Sequence, residues 1–318
     1  MTAATNATPS VLEARDRDDL LAQFGERVRF DEGLAPITWW KIGGPADALV
    51  TIESNDDIAF LMRLCLRRRL PWFVLGNGSN VLVGDGGLRG LVVRMGGEFS
   101  AITFDETDPT HVVVDAGASA SLPLLVAQAA TRGAIGIDGL AGVPGTVGGS
   151  LFMNAGTDRE IGEFVRDVHV HTLNRPDAHS VSVQYYYRHT TLERDAIVSR
   201  VSLAFERGEP TAVRERLQER LVRRKATQPL QWPNAGSCFR NPPNDKAGRL
   251  IEAVGAKGWR VGGAEVSDVH ANFIVNTDGA TALDVTTLLA RVRRAVGDKF
   301  GIDLQLEVHL VGEFVAET

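Results

Sequence analysis

A chain of 318 residues that is 44% hydrophobic and 23% charged is too long for one small core and balanced like an ordinary globular protein, so two or three domains are expected. A net charge of -6 and a pI near 5.7 exclude a nucleic-acid binder, whose affinity rests on surplus Lys and Arg, so any anionic ligand must be held by local cations. Cys65 and Cys238 can form neither a disulfide framework nor a zinc cluster, which predicts a reducing compartment and no metal site.

Residues 1–25 read as a polar, mobile extension without the basic and apolar segments of a signal peptide or membrane anchor. From Ala46 the chain alternates: Ala48–Ile52 extended, Asp56–Arg69 with helical apolar spacing, and Trp72–Leu75 extended. Val81–Val83 and Leu91–Val93 complete a first α/β unit. A second opens with the strand His111–Ala116 and the helix Leu122–Thr131, then continues into partly polar antiparallel strands. Near Glu209-Pro210 a boundary is expected, because Thr211–Lys225 reads as a charged amphipathic helix leading to a different pattern. Beyond it come a loop at 234–243, a strand Asn272–Asn276, a helix Leu283–Phe300 and a last strand Leu304–Val311. The arginine pairs Arg67-Arg68 and Arg293-Arg294 read as solvated helix ends, where cations suit the dipole.

Two glycine loops interrupt this pattern. Gly76-Asn77-Gly78-Ser79-Asn80 follows an apolar strand, and its glycines let main-chain N–H groups approach a phosphate. A dinucleotide fingerprint is excluded, because Val81 stands at the third glycine position and a strand follows in place of a helix. Neither loop is followed by Gly-Lys-Ser/Thr, which excludes a Walker A motif. Gly142-Val143-Pro144-Gly145-Thr146-Val147-Gly148-Gly149 has more glycine than a structural turn needs, so it too reads as ligand-contacting.

Taken in order along the chain, these segments resemble the UDP-N-acetylenolpyruvoylglucosamine reductase (MurB) family. Lys41-Ile42-Gly43-Gly44-Pro45-Ala46-Asp47 and the two glycine loops, the second continuing into Met153-Asn154-Ala155-Gly156, are similar to its FAD-binding segments. Tyr187-Arg188, Asn234 to Pro242, Gly255-Ala256-Lys257-Gly258 and His270-Ala271-Asn272-Phe273 are similar to its substrate and catalytic segments. The likeness spans residue 36 to the C-terminus, and the short stretch between Arg188 and Lys225 matches the subclass lacking an extra tyrosine-bearing loop. Trp39-Trp40, His189-Thr190 and Glu265 depart from the pattern.

The resemblance implies an α+β fold: a two-subdomain FAD-binding fold of the vanillyl-alcohol oxidase type plus a C-terminal α/β substrate-binding domain that closes over a UDP-sugar. The expected division is 26–97 and 98–210 for the FAD-binding subdomains and 211–318 for the substrate domain. It further implies non-covalent FAD, with Lys41, Gly43, Gly76, Asn77, Gly78, Ser79, Asn80, Gly142, Pro144, Gly145, Thr146 and Gly149 holding it. NADPH is the implied reductant and UDP-N-acetylglucosamine enolpyruvate the implied substrate. Both use one cavity, in a cytoplasmic protein expected to be monomeric.

In the implied reaction negative charge builds on the inner carbon of an enol ether and on its carboxylate. Arg188 suits that charge, being permanently cationic and able to grip a carboxylate through two N–H groups. Ser237 is implied as proton donor to that carbon; its setting lacks the glycines of a nucleophile elbow and no spacing marks a His partner. Glu307 alternates with Leu306 and Val308 and on pattern alone faces solvent, whereas the resemblance makes it a second stabilising group. Tyr187, Lys225, Asn241, Lys257 and His270 are implied substrate contacts, and Cys238 a packed neighbour of Ser237. The competing readings are a flavin oxidase of the same fold and a non-catalytic nucleotide-binding module.

Overall fold

The computed structural model describes residues 8–314, so part of the expected N-terminal extension, residues 1–7, lies outside the described residues. The rest of that extension differs from expectation. Helix α1 (Ala14–Phe24) buries Leu20 and Phe24 against the first unit, and its first turn is capped by Asp16, whose carboxylate accepts from Glu13 N at 3.0 Å. An apolar pair at i, i+4 amid charged neighbours is a faint helical signal in a segment so polar.

The first unit joins β1 (Val28–Gly33), β2 (Pro45–Ile52), α2 (Asn55–Arg68), β3 (Trp72–Val74), β4 (Val81–Val83) and β5 (Leu88–Met95). Its sheet runs β1-β2-β5-β3, with β2, β5 and β3 mutually parallel and β1 antiparallel at the edge. Ser54 caps α2 by accepting from Asp57 N, and Leu61 and Leu64 pack the helix onto Val50, Ile52 and Val93.

The second unit comprises β6 (Ile102–Asp105), β7 (His111–Gly117), α3 (Leu122–Ala130), α4 (Val147–Phe152), β8 (Val165–Thr172), β9 (Arg175–Ser180), β10 (Tyr185–Tyr186), β11 (His189–Thr190), β12 (Ile197–Glu206) and α5 (Pro210–Thr227). Five strands form an antiparallel sheet in the order β6-β7-β12-β8-β9. Helix α5, expected to open the third domain, instead buries Val213 and Leu217 in the core of this second unit. Their i, i+4 spacing gives the helix an apolar stripe that packs on α3 and on the short 3-10 turn Ile137–Leu140.

The third unit contains α6 (Ala247–Ala253), β13 (Arg260–Val261), β14 (Ala264–Val266), β15 (Ile274–Asn276), α7 (Ala282–Phe300) and β16 (His309–Val311). Strand β15 begins two residues later than expected, and only the end of the expected strand 304–311 is regular. β16 leaves its own unit and pairs in parallel with β4 of the first. Further fastenings join the same two units: Trp40 is fully buried in the third unit's core, its Nε1 donating to Ile274 O at 2.8 Å, while Asn276 Nδ2 donates to Trp40 O at 3.0 Å. Asp85 accepts from Ala282 N and Leu283 N at 2.9 and 3.1 Å, placing a carboxylate at the positive end of α7. Among the described residues no helix is long and apolar enough to cross a membrane.

Candidate functional site

Where the three units meet lies a cavity of about 790 Å³, within the usual range for cofactor and substrate sites. One wall is the glycine loop 76–80, which does join β3 to a strand, β4. Among the described residues none of the N–H groups of Gly76, Asn77, Gly78, Ser79 and Asn80 has a protein acceptor, nor do those of Gly145 and Thr146. Main-chain donors without protein partners, in glycine-rich loops that line a cavity, are available to an anion.

The two loops also touch. A Cβ on Gly145, where φ is +110°, would lie 2.9 Å from Ser79 Oγ, and one on Gly76 would lie 3.0 Å from Thr146 Oγ1. Side chains there would press the two loops apart. Thr146 closes the second loop as N-cap of α4, its hydroxyl accepting from Gly149 N at 3.2 Å.

Arg188, Ser237 and Glu307, remote in sequence, line the same cavity, and Glu307 borders the glycine loop through Asn80. Arg188 sits in the two-residue turn between β10 and β11 with φ +56°, a conformation that usually calls for Gly or Asn. Its side chain is correspondingly well held. Nε donates to Glu307 Oε1 at 3.0 Å, Nη1 to Glu160 Oε1 at 2.9 Å and Asn154 O at 3.4 Å, and Nη2 to Gly156 O at 2.6 Å.

Glu307 therefore does not face solvent as alternation suggested. Residues 304–308 are not a regular strand: Glu307 N donates to Cys238 O at 2.8 Å, and Asn80 Nδ2 donates to Glu307 O at 3.1 Å. Burial pushes the carboxyl's pKa up, opposed by Arg188 and Arg240.

Ser237 follows Gly236 (φ +76°), whose N–H donates to Asn234 Oδ1 at 2.9 Å. Downstream, Asn272 imitates a strand: its side chain accepts from Phe239 N at 3.0 Å and donates to Phe239 O at 2.8 Å, and its carbonyl accepts from Cys238 N. The Ser237 hydroxyl has no protein partner among the described residues, so it is free for a ligand. Cys238 is buried and its thiol pKa is pushed up to about 12, which fits a packed neighbour and not a reactive thiol.

Of the residues expected to hold cofactor, Gly76 to Asn80, Pro144, Gly145, Thr146 and Gly149 line the cavity. Lys41, Gly43 and Gly142 do not. Lys41 Nζ turns outward to Pro36 O at 2.8 Å; Gly43 makes room for Val83; and Gly142 makes room for the Arg224 side chain. The expected substrate contacts Tyr187, Lys225, Asn241, Lys257 and His270 also lie off the lining. The Tyr187 ring lies under the Arg188 guanidinium at 4.9 Å, and its hydroxyl accepts from Asn241 Nδ2 at 3.4 Å. Lys257 pairs with Glu252 at 2.7 Å, and His270 packs edge-on to the cavity residue Phe273. Lys225 is exposed on α5.

Its neighbour Arg224 lines the cavity in its place, half-buried and with its pKa lowered by desolvation. Helical spacing could have found it: Val213, Leu217, Leu221 and Arg224 follow one face at steps of 4, 4 and 3, whereas Lys225 is turned about 100° away. Arg94, Arg194 and Arg224 all line the cavity without a carboxylate partner among the described residues. These unbalanced cations are what a protein of net charge -6 needs to admit a diphosphate. His309 and Glu160 stand in no motif of the sequence, whereas Asn154 falls in the Met153–Gly156 segment that continues the second glycine loop.

A two-subdomain α+β scaffold with a phosphate cradle and a third unit over the cavity defines an FAD-dependent oxidoreductase. Comparison with known families agrees: an FAD binding domain model matches residues 46–174, and the C-terminal domain model of UDP-N-acetylenolpyruvoylglucosamine reductase matches 228–311. The UDP-N-acetylenolpyruvoylglucosamine reductase of Moorella thermoacetica is 45% identical over 305 residues, covering 93% of this chain and 99% of its own. That of Myxococcus xanthus is 39% identical, covering 92% and 94%. The crystal structure of the Thermus caldophilus UDP-N-acetylenolpyruvylglucosamine reductase (MurB) superposes with a TM-score of 0.74 at 37% identity, covering 89% of this chain and 97% of that one. The chain belongs to the UDP-N-acetylenolpyruvoylglucosamine reductase family.

Proposed function

We propose that this protein reduces UDP-N-acetylglucosamine enolpyruvate to UDP-N-acetylmuramate at the expense of NADPH, with Arg188, Ser237 and Glu307 as its catalytic residues. The observation that carries the reading is a single cavity lined both by loop amides without protein acceptors and by an arginine, a hydroxyl and a buried carboxyl. The amides of 76–80, Gly145 and Thr146 would hold the cofactor's diphosphate. When bound, FAD supplies two-electron transfer, from NADPH to the outer vinyl carbon of the sugar's side chain.

The protein's part is to manage charge and a proton. Arg188 faces the substrate carboxylate and offsets the charge that builds on it and on the inner carbon. Ser237 Oγ gives its proton to the inner carbon, a step open to so weak an acid because the carbon is a strong base. Glu307, whose pKa burial raises, donates or accepts a hydrogen bond beside that centre. Arg224, Arg194 and Arg94 supply local positive charge for the diphosphates of UDP-sugar and NADPH. We place the enzyme in the cytoplasm, in peptidoglycan precursor synthesis and as a monomer, because one chain builds the whole cavity and both cysteines are free thiols.

Substituting Ser237→Ala tests the assignment. The hydroxyl has no structural partner, so stability is expected to hold while flavin reoxidation by the enolpyruvyl sugar slows by about 10²–10⁴-fold and reduction by NADPH is nearly unchanged. Equal slowing of both halves would refute the role.

A further inference from the structure

The guanidinium of Arg188 lies between two carboxylates, and only one of them has a place in the reaction above. Glu160 is not part of the cavity wall. One oxygen accepts from Arg188 Nη1 at 2.9 Å and the other from Asn154 Nδ2 at 2.6 Å. Asn154 is buried and itself fixed on both sides, donating to Tyr186 O at 3.0 Å and accepting from Gly162 N at 3.0 Å. The same loop, 154–160, presents the carbonyls of Asn154 and Gly156 to Arg188, and Gly156 bridges to Glu160 across it. Two non-glycine residues that meet here, Asn154 (φ +43°) and Arg188 (φ +56°), both adopt left-handed backbone, which persists only where surrounding bonds over-determine it.

We propose that Glu160 is a positioning residue: it gives Arg188 a second, permanent carboxylate partner, which lets Glu307 exchange its own bond to Arg188 for one to the reacting molecule. The inference rests on the roles of Arg188 and Glu307 given above. Without Glu160, Glu307 would be the sole counter-ion of a largely buried guanidinium, and releasing it would leave that charge uncompensated. The charged groups facing Glu307 are Arg188, Arg240 from the loop after Ser237, and Glu160 through Arg188, with the Cys238 thiol behind it. Arg194 and Arg240 act on nearby His309, and Glu160 has Arg188 and Glu163 beside it. Burial raises the pKa of both carboxyls, and the charge of Glu160 raises that of Glu307 further.

Glu160→Gln and Glu160→Asp test this in the FAD-loaded enzyme. For the glutamine variant, anaerobic reoxidation by UDP-N-acetylglucosamine enolpyruvate is expected to slow roughly ten- to a hundredfold, with NADPH-driven reduction unchanged. The Glu307 carboxyl, followed by ¹³C NMR, should titrate at lower pH than in the wild type, because a like charge is gone and its bond to Arg188 tightens. Glu160→Asp keeps the charge on a shorter stem and should fall between the two on both readouts; if the glutamine variant fails to fold, the aspartate variant alone decides. An unmoved Glu307 titration, or equal slowing of both half-reactions, overturns the inference. If Arg188→Lys leaves the sugar step intact, the underlying reading fails; if Arg188→Lys slows it and Glu160→Gln alters neither rate nor titration, only the role of Glu160 fails.

Discussion

Replacing Arg188 by lysine keeps the positive charge and the left-handed backbone at that position, so it isolates what the planar fork contributes. Three separate nitrogens of the guanidinium reach four acceptors at 2.6 to 3.4 Å: Glu307, Glu160 and the carbonyls of Asn154 and Gly156. A single ammonium, with three donors at one point, cannot span all four, and at least one bond is lost. The lost share of charge stabilisation in the transition state is about 3 kcal/mol, the value typical of one well-placed donor, which converts to about two orders of magnitude in rate. The assay is anaerobic stopped-flow on the two half-reactions separately, monitoring flavin absorbance. Reoxidation by UDP-N-acetylglucosamine enolpyruvate should fall by roughly 10²-fold while reduction by NADPH changes little. A lysine variant with an unaltered sugar step, or one slowed equally in both steps, would refute the placement of Arg188 at the reacting carboxylate.

The cradle makes its own prediction: Gly145→Ala puts a methyl 2.9 Å from Ser79 Oγ at a φ of +110°, so the purified variant should carry much less FAD than wild type by absorbance, with its far-UV circular dichroism unchanged. Arg224→Ala should raise the KM for the UDP-sugar by about tenfold or more, the cost of roughly 1.4 kcal/mol of lost charge-assisted binding, whereas Lys225→Ala, on the exposed side of the same helix, should leave it within a factor of two. Steady-state kinetics of the pair separates them.

Glycine-rich loops were the most legible part of the molecule, because only bare backbone leaves rows of amides free at a cavity wall. Regular periodicity placed α2, α3 and α7 within a residue or two, since each buries a continuous apolar stripe. Elements stabilised by partners far along the chain were hidden. The α1 helix depends on two apolar side chains docking on a sheet that forms later in the sequence. Trp40, one of two adjacent tryptophans without an evident purpose in the sequence, is buried among residues of the third unit, while Trp39 beside it stays partly exposed.

In the site itself, the reach of a side chain mattered more than the type of residue. Arg224 and Lys225 are adjacent cations, and only the helix phase set by Val213 and Leu217 tells which one faces the cavity. Glu307 looked solvent-facing under a two-residue alternation that holds for strands, but residues 304–308 change partners from the Cys238 loop to Asn80 and β4, and the alternation lapses there. Glu160 carries no sequence signal, because its importance arises from a loop that folds back on Arg188.

The most direct test of the central claim follows one sample of wild-type protein through a complete cycle without oxygen. The protein should be yellow, bleached by NADPH and rapidly restored to colour by UDP-N-acetylglucosamine enolpyruvate, with UDP-N-acetylmuramate formed in equal amount to the flavin reoxidised. A colourless protein, or a reduced flavin that oxygen restores quickly and the sugar does not, would contradict it.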